Sequence, residues 1–168
     1  MSDLEEQLKT SMSQLINKEC WGIIAGEGTG SFVNLEIGEK IRRNKELENP
    51  ALETDVRQFE GQYSLSLECA WRLDSTEAVI CGSSDDNSKG GKMLSGLKLL
   101  TGLRISRVNL SKPGLDLEIE FSKGLTLKVF CDQTNENDQN DNYMLFTRDQ
   151  IITVSYGSRL ECEPHRRP

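Results

Sequence analysis

The chain has 168 residues, of which 36% are hydrophobic and 28% charged, and a formal charge of −7. This is the length of one ordinary domain, able to bury a full core without disulfides or a metal, and the composition is too apolar for a disordered chain. The negative balance excludes nonspecific binding to nucleic acid or anionic membrane over the whole surface, because both are polyanions, and it favours basic partners.

The first residues, MSDLEEQLKTSMSQLINKE, lack the basic start and apolar core of a secretion signal, and no apolar run reaches the 18 or so residues that span a bilayer. A cytoplasmic protein with no membrane partner is expected. Ser2 and Glu5 have capping-box spacing, and Leu4, Leu8, Met12, Leu15 and Ile16 form one apolar stripe, so residues 3–18 are predicted as an amphipathic helix. The stripe either docks on the rest of the domain or meets a second copy in a homodimer.

A β-rich body is expected over residues 20–162. Trp21 to Ala25 and Ser31 to Ile37 read as strands around the turn GEGTGS. That turn has the glycines of an anion cradle, but Glu27 would repel a phosphate and no lysine stands nearby, so it is read as a hairpin turn. Lys40, Arg42, Arg43 and Lys45 follow as a basic cluster. Pro50 stops any helix before it, while Leu52, Val56 and Phe59 suit one face of a short helix after it.

Tyr63, Leu65, Leu67, Cys69, Trp71 and Leu73 share one parity, which predicts one long central strand. Glu77 to Cys81 is a shorter strand, and residues 82–92 (GSSDDNSKGGK) form a loop. Over residues 93–103 a short helical turn or loop competes with strand; Ile105 to Leu110 is a strand. In LDLEIEFSKGLTLKVFC (residues 115–131) two alternating runs flank Ser122-Lys123-Gly124, a β-hairpin in which Gly124 is free to take a positive φ. After the polar insertion DQTNENDQNDN come Tyr143 to Phe146 and Ile151 to Tyr156 as a further hairpin, Arg159 to Cys162 as an edge strand, and residues 163–168 as a flexible tail.

The only histidine, His165, falls in that tail, which weakens every catalytic design that needs histidine in the body of the domain. Five cysteines, Cys20, Cys69, Cys81, Cys131 and Cys162, lie singly, with no C-x-x-C pair, and are read as reduced thiols. No catalytic residue, metal site or cofactor is predicted. Asp138, Asn140 and Asn142 alternate as in a calcium loop, with Asp149 eleven residues beyond Asp138, but Tyr143 stands where the sharp turn needs glycine.

Two segments remain as candidate sites. Between Asn87 and Leu115 there is no acidic residue but six cations, so Ser84, Lys89, Lys92, Arg104 and Arg107 compose an alternative anion or nucleotide site; the bland account has these cations pairing with Glu118 and Glu120 across the sheet. In the insertion, Asp132, Glu136, Asp138 and Asp141, with Tyr143 beside them, suit a basic protein surface.

An acidic β-rich chain with a leading helix, the hairpin pattern LDLEIEF-x-x-GLTLKVF and an acidic loop resembles, over residues 62–160, the immunity proteins that bacteria make against their own polymorphic or contact-dependent toxins. The resemblance implies a stoichiometric inhibitor that binds and occludes a toxin, often a basic nuclease. The predicted fold is α+β: one domain over residues 1–168, with the N-terminal helix and one mostly antiparallel, meander-like sheet of about seven to nine strands, half-barrel and two-sheet sandwich variants being left open.

Overall fold

The computed structural model describes residues 3–137 and 139–166. Helix α1 spans Asp3–Ser13, shorter than expected. The chain leaves it through a tight turn in which Asn17 takes φ 69° and donates its N–H to the Ile105 carbonyl (2.7 Å). The predicted stripe is nonetheless spent inside the chain: Leu8, Met12 and Leu15 are at most 1% exposed. Those three side chains are therefore not what a second copy would meet. Ser2, the expected cap, lies outside the described residues.

Among the described residues, eleven strands form one antiparallel sheet: β1 (Glu19–Ile24), β2 (Val33–Arg42), β3 (Phe59–Leu67), β4 (Ala70–Asp74), β5 (Val79–Gly82), β6 (Leu103–Ser111), β7 (Asp116–Phe121), β8 (Thr126–Phe130), β9 (Tyr143–Phe146), β10 (Gln150–Val154) and β11 (Leu160–Pro164). Their order is β11-β10-β9-β3-β2-β1-β6-β7-β8-β4-β5, so the sheet is open, with β11 and β5 as its edges. The fold is α+β, as the sequence predicts. No described helix is long and apolar enough to cross a membrane.

The sheet has two halves joined at a narrow place, where β1 meets β6 only through Glu19 with Arg104 and Cys20 with Leu103. Both halves turn their apolar faces to one core, in which Leu35, Leu65, Leu145 and Ile152 from one half meet Trp71, Ile119, Leu127 and Val129 from the other. The long strand predicted over residues 63–73 is in fact β3 and β4. Its parity holds, since all six inward positions are buried, but the chain bends at Glu68 and Cys69 and changes partners: β3 pairs with β2 and β9, β4 with β8 and β5. A strand that passes from one layer to another in this way makes a corner of the sheet. Here the amides of Glu68 and Cys69 both donate to the Asn142 carbonyl (3.0 and 3.1 Å), which takes the place of a ladder partner at the bend.

Three further features bear on the site. Strand β2 continues to Arg42, and the short helix α2 (Thr54–Gln58) buries Val56 before β3 begins. Residues 92–100 are helical, as α3 (Lys92–Leu97) and a following 3-10 turn. The expected flexible tail is ordered as far as the described residues reach: β11 pairs with β10 up to Pro164 opposite Gln150, and the His165 amide donates to the Asp149 carbonyl (2.9 Å).

Candidate functional site

The acidic insertion grows from the corner. Asn142 is fully buried and works in both directions. Its Nδ2 donates to the carbonyls of Ser155 (2.9 Å) and Gln133 (3.3 Å), its Oδ1 accepts from the Gln133 amide (3.0 Å), and its own amide donates to Val154 (2.8 Å). The Gly157 amide adds a bond to the Gln133 carbonyl (2.9 Å). Both ends of the insertion are thus pinned to the β10–β11 connection, while Thr134 to Asn137, with Gln139 and Asn140, are exposed.

The predicted partner residues divide on this frame. Glu136 is exposed at the tip turn. Asp132 is exposed but accepts the Ala70 amide (3.1 Å), so it also ties the insertion to β4. Asp141 is half-buried and donates its amide to the Glu68 carboxylate (3.0 Å). Burial, with the Glu161 charge added, raises the Asp141 pKa above the ordinary carboxylate value; burial likewise raises Glu68, which the Asp141 amide partly offsets and the Asp141 charge augments. Asp138 lies outside the described residues. Tyr143 must be corrected: it is 0% exposed, shares the inward parity of Leu145, and donates its hydroxyl to the Leu115 carbonyl (2.9 Å). It is core and cannot touch a partner.

The cationic candidates do not assemble into one anion site. Ser84 and Lys89 are exposed in the loop after β5, and Lys92 opens α3 with its ammonium 3.4 Å from Asp85. Arg104 and Arg107 stand on β6, from which β7, β8 and β4 separate β5 in the sheet order. Arg104 donates to the Asn17 carbonyl (2.7 Å), and Arg107 pairs with Glu120 (2.7 Å) and Glu118 (4.0 Å), the cross-strand pairing that the bland account expects. The loop itself is built of turns: Asp85 accepts the Gly82 amide (2.8 Å), Asp86 accepts the Ser88 amide and hydroxyl, and Asn87 Nδ2 donates to the carbonyls of Gly26 and Gly30. That last pair clamps the GEGTGS turn from outside.

Sequence reasoning missed a third place, on the outer face of β2 and β3. Register sets Asn34 opposite Ser66 and Glu36 opposite Ser64. Glu36 is only 2% exposed. Its Oε1 accepts from Asn34 (2.9 Å) and Arg43 (3.0 Å), and its Oε2 from the Gly61 amide (2.6 Å) and the Ser64 hydroxyl (2.7 Å). Arg43 also donates to the Val56 carbonyl (3.2 Å) and sits 3.5 Å from Glu60. Each Glu36 oxygen has two donors, so the carboxylate is saturated and holds the 43–58 excursion onto the sheet; no lone pair is left over for a base or a metal ligand.

His165 arrives at the same place from β11. It lines the cavity of about 270 Å³ over this cluster, with its ring edge-on to Phe146 at 5.7 Å. Nδ1 lies 2.6 Å from the Thr147 carbonyl, which can only accept, so Nδ1 donates to it. The tail histidine is thus packed against the body of the domain. The signal for this cluster was present in the sequence as two polar i, i+2 pairs, Asn34/Glu36 and Ser64/Ser66, on strands destined to be neighbours. Among the described residues, no group of three or more histidine, cysteine, aspartate or glutamate side chains could hold a metal ion.

No family model matches this chain, and neither a curated protein nor a solved structure matches it.

Proposed function

We propose that the chain is a noncatalytic protein-binding module of the immunity or antitoxin type, which meets a basic partner, such as a toxin domain, with the acidic insertion 132–142. The observation that carries this reading is the Asn142 anchorage: it holds both ends of a run of exposed polar and acidic residues on a buried base. An anchored loop loses less conformational entropy on binding than a free one, so more of its charge attraction appears as affinity. Asp141 and Glu68 add a second support. Their carboxylates are held among like charges and partly desolvated, a mismatch that an arriving lysine or arginine would relieve. Residence in the cytoplasm, where thiols stay reduced, suits five free cysteines.

The test is a paired capture from the organism that encodes the chain. One bait is the natural chain; the other carries Asp132→Asn, Glu136→Gln, Asp138→Asn and Asp141→Asn. The reading predicts a basic protein held by the first bait at low salt, released at high salt, and reduced on the second. Identical proteins on both baits would remove the insertion from the interface.

A further inference from the structure

Cys69 and Cys131 are 62 positions apart in sequence and flank the same end of the β4–β8 ladder. The antiparallel β4–β8 ladder ends with Ala70 opposite Phe130, after Trp71 opposite Val129, and continuing its register by one step sets Cys69 opposite Cys131. Both side chains fall on the inward parity of Trp71 and Val129. Their amides donate elsewhere, Cys69 to the Asn142 carbonyl (3.1 Å) and Cys131 to Asp116 Oδ1 (2.7 Å). Trp71 turns both its amide and its carbonyl to Ser83 on the β5 side (3.2 and 2.9 Å), so its pair with Val129 is non-hydrogen-bonded and the position two residues on, Cys69 with Cys131, is of the same kind, in which opposed Cα atoms come to about 4.5 Å and side chains approach most closely. That spacing lies inside the range a disulfide spans, about 4.4–6.8 Å. The Cys69 thiol and the Asp116 carboxylate, with burial, are what raise the pKa of the Cys131 thiol.

The remaining cysteines have no such arrangement. Cys20 and Cys81 are buried, with thiols pushed up to about 12 and about 11, chiefly by burial, and Cys162 is exposed at the sheet edge. Only Cys131 combines a facing thiol with partial exposure.

We propose that Cys69 and Cys131 are a built disulfide-forming site, closed by exchange with a small-molecule disulfide of the glutathione class. In the first step the Cys131 thiolate attacks one sulfur of glutathione disulfide, forming a mixed disulfide and expelling one glutathione thiolate. In the second the Cys69 thiolate attacks the Cys131 sulfur, forming the protein disulfide and expelling the other. The protons lost by the two protein thiols are taken up by the two glutathione thiolates; the dithiol is oxidised by two electrons and glutathione disulfide is reduced by two. The bond would join the corner of the sheet to the residue immediately before the acidic insertion.

The neighbourhood sets the rate. The Cys131 thiol is held well above its ordinary pKa by the hydrogen bond with Cys69, by burial and by the Asp116 charge, and the buried Tyr143 hydroxyl is the other titratable group of this pocket. Exchange is therefore slow at neutral pH and accelerates as pH rises. Asp116→Asn keeps an acceptor for the Cys131 amide, removes the negative charge and is expected to accelerate closure several-fold.

The full chain in a Cys162→Ser background, incubated with glutathione disulfide at alkaline pH, tests this without knowledge of any partner. The expected product has lost two hydrogens, carries no glutathione, and yields a linked Cys69–Cys131 peptide on non-reducing digestion. Its thermal midpoint rises by about 10 °C, reversibly with dithiothreitol, because the cross-link closes a long loop in the unfolded chain. In Cys69→Ser the reaction stops at a glutathione adduct on Cys131. A stable adduct on Cys131 with Cys69 intact, two free thiols after prolonged exposure, or a link to Cys20 or Cys81 would each overturn the proposal.

Discussion

Replacing Asn142 by alanine removes the side chain that closes the acidic insertion and leaves the backbone of the corner in place. Three hydrogen bonds are lost: two donated by Nδ2, to Ser155 and Gln133, and one accepted by Oδ1 from Gln133. At about 1 kcal/mol net each the ceiling is about 3 kcal/mol. Gln133 is half-buried and recovers some water, and the Ser155 carbonyl keeps the Ser158 amide (3.1 Å), so about 2–3 kcal/mol is expected. In a chain of this size that corresponds to a fall of roughly 5–10 °C in the thermal midpoint. Urea unfolding followed by tryptophan fluorescence measures it, with Asn142→Asp as companion: it retains the acceptor, loses both donors and buries a charge, and should be no more stable than the alanine variant. A loss under about 0.5 kcal/mol in Asn142→Ala, the range of ordinary surface changes, would refute the claim that this residue anchors the insertion.

Three further outcomes follow from other parts of the fold. Glu36→Gln takes from Arg43 its nearer carboxylate and leaves it Glu60 at 3.5 Å, and should cost about 2 kcal/mol in denaturant unfolding, the range of hydrogen bonds to charged groups; a loss no larger than that of Glu48→Gln, whose pair with Lys45 is exposed, would show that the clasp adds nothing to stability. Leu8→Ala should cost about 3 kcal/mol and leave the oligomeric state in light scattering unchanged, because the leucine is covered by its own chain; dissociation of a dimer on this substitution would return the helix stripe to an interface. Glu68→Gln should be more stable than the natural chain at neutral pH. The folded-state pKa of Glu68 is raised, so the native protein binds the proton more tightly than the unfolded chain and gains stability as pH falls through that raised value. The advantage of Glu68→Gln should therefore shrink on acidification and vanish below the ordinary carboxylate range, and a constant difference across that window would contradict the assigned cause.

Much of the scaffold was legible because alternation is a direct consequence of one buried face. The β7–β8 hairpin emerges as read, with Lys123 (φ 63°) and Gly124 (φ 72°) both left-handed in its turn. Tyr143 was equally legible, since its parity with Leu145 marks it as inward; proximity to acidic residues was the weaker signal. The break in the 63–73 run was hidden, because Glu68 continues the alternation and the bend is made by the Asn142 carbonyl, far away in sequence. Alternation also concealed Glu36: its parity marks a wetted face, and Arg43 returns over that face to pair with it. The sequence pattern does not place His165 on the fold, because β11 is held largely by backbone pairing with β10, which leaves little trace in side-chain pattern.

The role of the insertion is tested most directly by the association rate between the chain and its captured basic partner, measured over a range of ionic strength, for the natural sequence and the variant with the four neutralised carboxylates. Charge steering by the insertion predicts a rate about tenfold lower for the variant at low salt and a flatter dependence on salt. Equal rates and equal salt slopes for the two chains would contradict it and place the binding surface elsewhere on the fold.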